Sequence, residues 1–401
     1  MPAGFRNIMN SNVEKRRLKL QALTLIVVAL AGYCSIKPEV SKNLPVHEAL
    51  PSTKALHSQG FIEGRLIFIG DAGLARAGQP IWKDLENSIR ESKQPVTTVF
   101  LGDNVYEAGL PEKSERDPLF PAYFEVLRTQ VEAARGSVET IFVAGNHDWK
   151  NGEPQGKSRI LEQERQLVGM GARFFPGGGC PDITMKNVTP GVSVMFLDSQ
   201  AIIFLLGDRK YSLKNCRVKS VDELKTQVNK VLKDFNNSER ILILAMHHPL
   251  ATNGSHGGHF GWQHHVFPVY NYNKYFPLPG IASLAVWSRQ SGVATPADTA
   301  HTEYHNFIVF MNEALSEVKN LLVASGHDHN LQLLKLAKKN HYQVVSGSGS
   351  KSDPVDVDID SMEVSEKNGY VIVDIMNDSR MVLHMRVMQE AERVLVLNFN
   401  R

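Results

Sequence analysis

Six apolar runs, each rich in β-branched or aromatic residues and nearly free of polar ones, punctuate the chain: Arg65 to Ile69, Val96 to Leu101, Thr140 to Ala144, Val192 to Leu197, Ile241 to Ala245 and Leu321 to Ala324. Continuous rather than alternating apolar character predicts strands covered on both faces. Between the runs, apolar residues recur at helical spacing over Pro121 to Ala134, Ser158 to Val168, Val221 to Phe235 and Phe307 to Val318. This alternation predicts an α/β architecture with the strands at its centre. From Tyr342 the pattern changes. Val344-Val345, Tyr370 to Ile375, Met381 to Met388 and Arg393 to Leu397 predict further strands joined by turns, and the Ser-, Gly- and Asp-rich stretch from Gly347 to Asp360 reads as a surface loop.

The N-terminus follows another logic. Lys15, Arg16, Arg17 and Lys19 precede an apolar run from Leu20 to Gly32, with Ala29-Leu30-Ala31 placed as a cleavage site. That is the layout of a secretory signal, or of an uncleaved N-terminal anchor. The expected organisation is a signal or anchor at 1–33, a linker at 34–60 and a single domain at 61–401. Export follows, to the periplasm or the exterior, with membrane association through the N-terminus. Cys34 has the position of a lipidated cysteine, although Tyr33 before it is not the small residue that lipoprotein signals place there. Cys180 and Cys216 then remain as an even pair, to be read either as a disulfide or as two buried thiols.

Composition narrows the class. A chain of 401 residues, 42% hydrophobic, can bury one large core or two smaller ones. A net charge of +2 argues against a nucleic-acid footprint, which needs clustered excess Lys and Arg, and no nucleic-acid partner is expected. Nothing in the sequence indicates an oligomeric state.

Five polar motifs, each following an apolar run, carry the chemistry: GDAG at Gly70, GDNVY at Gly102, GNHD at Gly145, HHP at His247 and GHDHN at Gly326. Active sites of open α/β sheets gather at the carboxyl ends of strands, so these motifs can converge. A pair of cations about 3.5–4 Å apart needs one ligand touching both, and a carboxylate is the natural bridge. Asp103 is the candidate bridge, and Asp71 and Tyr106 complete one site with it. Asn146 and His247 offer neutral donors to a second ion, and His327 and His329 can serve one metal each. Oxygen and imidazole donors without thiolate suit iron, manganese or zinc. The anionic set around Asp71 favours ferric iron, with water deprotonated there to form the nucleophile. His147, beside Asn146, is the candidate general acid, with Asp148 to orient it.

These motifs resemble the calcineurin-like metallophosphoesterase superfamily, and within it the small, single-domain purple acid phosphatases of the tartrate-resistant type. The superfamily pattern begins Asp-x-His, whereas Gly73 stands at the third place here and Tyr106 in GDNVY supplies what is lost. The resemblance implies a four-layer αββα sandwich with two central mixed sheets. It implies Fe(3+) held by Asp71, Asp103, Tyr106 and His329, and Fe(2+), Zn(2+) or Mn(2+) held by Asp103, Asn146, His247 and His327. It also implies that His147 is the catalytic histidine and that phosphomonoesters are hydrolysed, an acid phosphatase activity. A phosphoprotein phosphatase or phosphodiesterase with the same metals is the alternative. An insertion at about 251–302 departs from the family and is expected to form a lid over the phosphate site, with His248 and His256 as phosphate contacts.

Overall fold

The continuous apolar runs become strands because both of their faces are covered. The computed structural model describes residues 60–399 apart from 114–115, 208, 210–212, 237–238 and 268–276. The expected signal or anchor, Cys34 and all but the last residue of the linker lie outside the described residues. In chain order the strands are β1 (Ile62–Ile69), β2 (Val96–Leu101), β3 (Glu139–Val143), β4 (Arg173–Phe174), β5 (Ile183–Thr189), β6 (Val192–Leu197), β7 (Ile241–Ala245), β8 (Asn320–Ser325), β9 (Leu331–Lys335), β10 (His341–Ser346), β11 (Ser361–Ser365), β12 (Gly369–Met376), β13 (Arg380–Val387) and β14 (Arg393–Asn398). The helices are α1 (Pro80–Arg90), α2 (Phe120–Ala133), α3 (Gly156–Gly169), α4 (Ser199–Leu206), α5 (Val221–Asn236), α6 (Trp262–Val266), α7 (Ile281–Gln290) and α8 (Thr302–Ala314).

The strands form two seven-stranded sheets, β14-β13-β12-β1-β2-β3-β4 and β11-β9-β10-β8-β7-β6-β5. Both are mixed. In the first, β1, β2 and β3 run parallel, with Ile67 beside Thr98 and Phe100 beside Phe142, while β12 returns antiparallel to β1. In the second, β6, β7, β8 and β10 run parallel. Leu66, Phe68, Val99 and Leu101 of one sheet meet Val194, Phe196, Ile243 and Ala324 of the other in a core between them. The alternate residues Ile67, Ile69 and Phe100 pack outward against Leu85, Leu127 and Ile160 of α1 to α3. On the far side Met195, Leu242 and Val323 pack against Leu224, Val228 and Phe307 of α5 and α8. The result is the expected four-layer αββα sandwich.

Several elements differ from the sequence reading. The helix α4, not anticipated from the sequence, follows β6 directly and is capped by Asp198, which accepts from the Ala201 N–H. The insertion is not without regular structure: it carries α6 and α7, and α8 begins at Thr302, where the His301 ring accepts from the Glu303 N–H. Cys180 and Cys216 form a disulfide.

Candidate metal centre

The parallel strands of both sheets end at one edge, and the polar motifs begin there. Asp71, Asp103, His247 and His327 each lie two residues past the last residue of β1, β2, β7 and β8. Three of them take left-handed backbone conformations, Asp71 at φ 56°, Asp103 at 52° and His327 at 77°. Non-glycine residues rarely adopt this region, and where they do the turn is held by its surroundings. Backbone bonds between loops do the holding: Asp71 N–H to Gly102 O at 3.0 Å and Gly326 N–H to His247 O at 3.0 Å.

Two clusters of donors result, joined at Asp103. In the first, the Tyr106 hydroxyl lies 2.8 Å from Asp71 Oδ1 and 3.1 Å from His329 Nε2. His329 Nε2 is 3.5 Å from Asp71 Oδ1. The space for the Tyr106 ring is made by Gly73, where a Cβ would lie 2.7 Å from Tyr106 N and 2.8 Å from its ring. It would also lie 2.8 Å from Asp103 O, so the turn as folded has no room for a side chain at 73. In the second cluster, Asn146 Oδ1, His247 Nε2 and His327 Nδ1 lie 3.1–3.2 Å apart, with Asp103 Oδ1 3.5 Å from His247 Nε2. Asp71, Asp103 and His247 together offer ligand atoms all within 4.8 Å of one another.

Outer partners decide which atoms face inward. Carbonyls and carboxylates only accept, so a ring nitrogen bonded to one carries the proton. His247 Nδ1–H donates to Leu101 O at 2.8 Å, and His327 Nε2–H donates to Ala297 O at 2.7 Å. His329 Nδ1–H donates to Asp353 Oδ2 at 2.6 Å, and the Asn146 amide donates to Asn151 Oδ1 at 2.8 Å. Asn146 Oδ1, His247 Nε2 and His327 Nδ1 therefore face one another, while His329 Nε2 faces the Tyr106 hydroxyl and Asp71. Buried acceptors in mutual contact are costly unless a cation lies among them, and such outer-shell bonding is the usual support of metal-binding histidines.

The electrostatics point the same way. Burial disfavours charge on His247, yet Asp103 and Asp71 raise its pKa to about 9, so the site draws positive charge to itself. Burial pushes Asp71 above the usual carboxylate range. Burial pushes Asp103 up as well, but the imidazoles of His247 and His147 overcome it and hold it low. Burial and the neighbouring carboxylates push the Tyr106 phenol well up, so the protein alone keeps it neutral. The donor set fits two cations.

Around the ligands, His147 is partly exposed, its Nδ1–H held by Glu107 O at 2.6 Å and its ring edge-on to Tyr106 at 4.7 Å. Asp148 does not orient it. Its buried carboxylate accepts from the N–H groups of Asn104, Val105 and Gly145 and from the Asn104 amide, clamping two ligand loops together. Burial and the charge of Asp103 push its pKa to about 7. His248 is also displaced from its expected role. It is 1% exposed, hydrogen-bonds the Ser199 hydroxyl through Nδ1 at 2.8 Å, and backs the rings of His247 and His327 at 5.0 and 4.5 Å. Burial holds its pKa well below the usual value, so it is a neutral buttress rather than a phosphate contact. His256 does reach the site, its ring 4.2 Å from that of His327.

Sequence reasoning missed a part of the site. The Gly347 to Asp360 stretch is no mere surface loop: its first residues are buried, the Ser350 hydroxyl donates to Asp71 O, and Asp353 holds His329. Lys351 Nζ lies 3.4 Å over the Tyr106 ring and 3.2 Å from Glu107 Oε1. An acidic and a basic residue within an SGSGSKSD run was the available signal. Ala297 and Asp298 came from the insertion without any signal.

A model of the calcineurin-like phosphoesterase family matches residues 64–331. No curated protein matches the chain. Among solved structures, the chain is similar to PhoD, at 11% identity over 85% of this chain and 70% of that one, with a TM-score of 0.52. It is also similar to GAP50, described as the anchor in the inner membrane complex of Plasmodium, at 16% identity over 85% and 90% with a TM-score of 0.49. A third is the purple acid phosphatase PPD1 from yellow lupin (Lupinus luteus) seeds, at 13% identity over 85% and 54% with a TM-score of 0.48. The match thus spans about half the length of the lupin protein. At these identities the likeness is one of fold.

Proposed function

The chain belongs to the calcineurin-like phosphoesterase family, and from that premise we propose that it hydrolyses phosphomonoesters at a two-metal centre of the purple acid phosphatase type. The carrying observation is the Tyr106 phenol, seated in the space left by Gly73 and 2.8 Å from Asp71. Asp71, Tyr106 and His329, with the Asp103 carboxylate, would hold the first ion. Asn146, His247 and His327, with the same carboxylate shared, would hold the second. The anionic oxygens of the first set suit ferric iron, and the amide and imidazoles of the second suit a divalent ion of iron, zinc or manganese. Bound there, the ions supply Lewis acidity toward a phosphate oxygen and toward water.

The chain's own residues do the remainder. Asp103 fixes the spacing of the two sites, and its bond from the His147 N–H at 2.9 Å ties that spacing to the candidate acid. With Nδ1 committed to Glu107 O, His147 has Nε2 for donating a proton to the departing alkoxide. Asp71 accepts the His327 N–H at 2.8 Å, so ligands of the two sites share one frame. The N-terminal signal pattern and the Cys180–Cys216 bridge support export to an oxidising compartment. Intact mass of the protein from its native envelope fraction checks this; an unprocessed, reduced cytosolic chain would overturn it.

The test of the function is spectroscopic and kinetic together. Natively purified protein should show a tyrosinate-to-iron absorption band and turn over p-nitrophenyl phosphate. Tyr106→Phe should abolish the band while the chain stays folded. A colourless, iron-free wild type that is fully active would defeat the iron assignment, and preference for phosphopeptides or phosphodiesters by kcat/KM would replace the substrate.

A further inference from the structure

The insertion enters the site through two adjacent residues. The Ala297 carbonyl takes the Nε2–H of His327 at 2.7 Å, and the Asp298 carboxylate lies 2.9 Å from Nδ1 of His256. Arg289 Nη2, a donor, is farther from Nδ1 at 3.4 Å, and the nearer carboxylate only accepts, so Nδ1 of His256 carries the proton and Nε2 bears the lone pair or a second, exchangeable proton. Among the described residues none hydrogen-bonds Nε2 of His256, whose side chain is 20% exposed. Asp298 itself is 2% exposed and is gripped by Arg289, with bonds of 2.8 and 2.5 Å from the guanidinium of α7. Phe260 covers that guanidinium at 4.8 Å. The backbone of His256 is fixed as well: its N–H donates to Asp328 Oδ1 at 3.1 Å, and its carbonyl accepts from Thr299 N–H and Oγ1–H.

A side chain so restrained on one nitrogen and open on the other has a direction. We propose that Asp298, held by Arg289, is a positioning residue that aims Nε2 of His256 at a phosphoryl oxygen bound over the second metal position. The stretch from Arg289 to Thr299 is thereby a fixed wall of the site. This rests on the phosphoesterase reading above, and it gives the chain-specific insertion a role in holding the transferred group. His248, the other candidate contact, is sealed behind the ligand rings and cannot share that role.

Asp298→Asn keeps the volume, and the His256→Ala background tells positioning from bulk structure. Inorganic phosphate is the probe, its dissociation constant measured by calorimetry on metal-loaded protein. Each single variant should weaken phosphate about tenfold, the usual scale of a lost outer-shell partner. Asp298→Asn in the His256→Ala background should change it less than about twofold, since a residue acting only through His256 has nothing left to aim. Metal content should stay at the wild-type value. Unchanged affinity in Asp298→Asn, multiplying effects in the double variant, loss of metal, or a wild type that binds no phosphate would each overturn the proposal. A wild type that binds phosphate and shows this cycle, yet hydrolyses no phosphomonoester, would instead overturn the proposed reaction and leave the positioning role standing.

Discussion

At the scale of single residues, the ligand types were legible and their partners were not. Asp71, Asp103, Tyr106, Asn146, His247, His327 and His329 announce themselves because a metal site demands particular donor atoms at strand ends. Leu101 and Ala297 contribute only carbonyl oxygens, which every residue has, so no sequence pattern marks them. Asp148 was visible but misread, since a carboxylate beside a catalytic histidine looks the same whether it faces the ring or the backbone. Its placement carries a prediction. Asp148→Ala strands the buried N–H groups of Asn104, Val105 and Gly145, and should cost at least about 2 kcal/mol in denaturant unfolding. His147→Ala should behave differently. It should leave stability unchanged and lower kcat by about 10²- to 10⁴-fold, most severely for substrates with poor leaving groups. An equal loss for every leaving group would remove His147 from the proton-transfer step.

At the scale of elements, strands buried on both faces were the easiest to read: β2, β6 and β7 have the boundaries that their apolar runs predict. Of the strands missed, β4, β5 and β11 lie at sheet edges, whereas β9 is buried between β11 and β10 but short, directly after the GHDHN motif. Half-exposed β5, of sequence ITMKNVT, alternates weakly, and β4 is two residues long. The helix α1 buries Ile81, Trp82, Leu85 and Ile89 behind a proline at its first turn, a pattern that was present and passed over. The GDAG turn is where element and chemistry meet. Gly73→Ala puts a methyl against the Tyr106 backbone and ring, so the first metal should be lost while the second site keeps its donors; metal-to-protein stoichiometry reads this directly. The bridge between Cys180 and Cys216, 36 residues apart, constrains the unfolded chain by about 4 kcal/mol in the loop-entropy account. Cys216→Ser should lower the unfolding free energy by up to that amount in oxidising buffer and by nothing under reducing conditions.

At the scale of the whole molecule, the sequence could indicate strands and helices in alternation, but not that β12 returns from the C-terminal region to pair with β1. Long-range pairing of that kind depends on which edges remain open, not on local pattern. The returning strands also bring in a buried charge network. His384, between Asp374 and Glu392, resists charging through burial, but those carboxylates raise its pKa to about 9, and Arg65 completes the group. An unfolded histidine titrates near 6.5. The raised value means stability that is fully present below about pH 6.5 and lost as pH rises through 9, a span worth at most about 3 kcal/mol. Melting temperature should fall across that window, and His384→Gln should flatten the fall. This one group therefore contributes more on the acidic side of that window than on the basic side.

All of this converges on one arrangement, two donor clusters that meet at Asp103 where the parallel strands of both sheets end. Elemental analysis of natively purified protein, beside its Asp103→Ala variant, tests that arrangement most directly. Two transition-metal ions per chain in the wild type, with both occupancies falling in the variant, is the predicted result. One ion or none in the wild type, or two that persist without the Asp103 carboxylate, would contradict it.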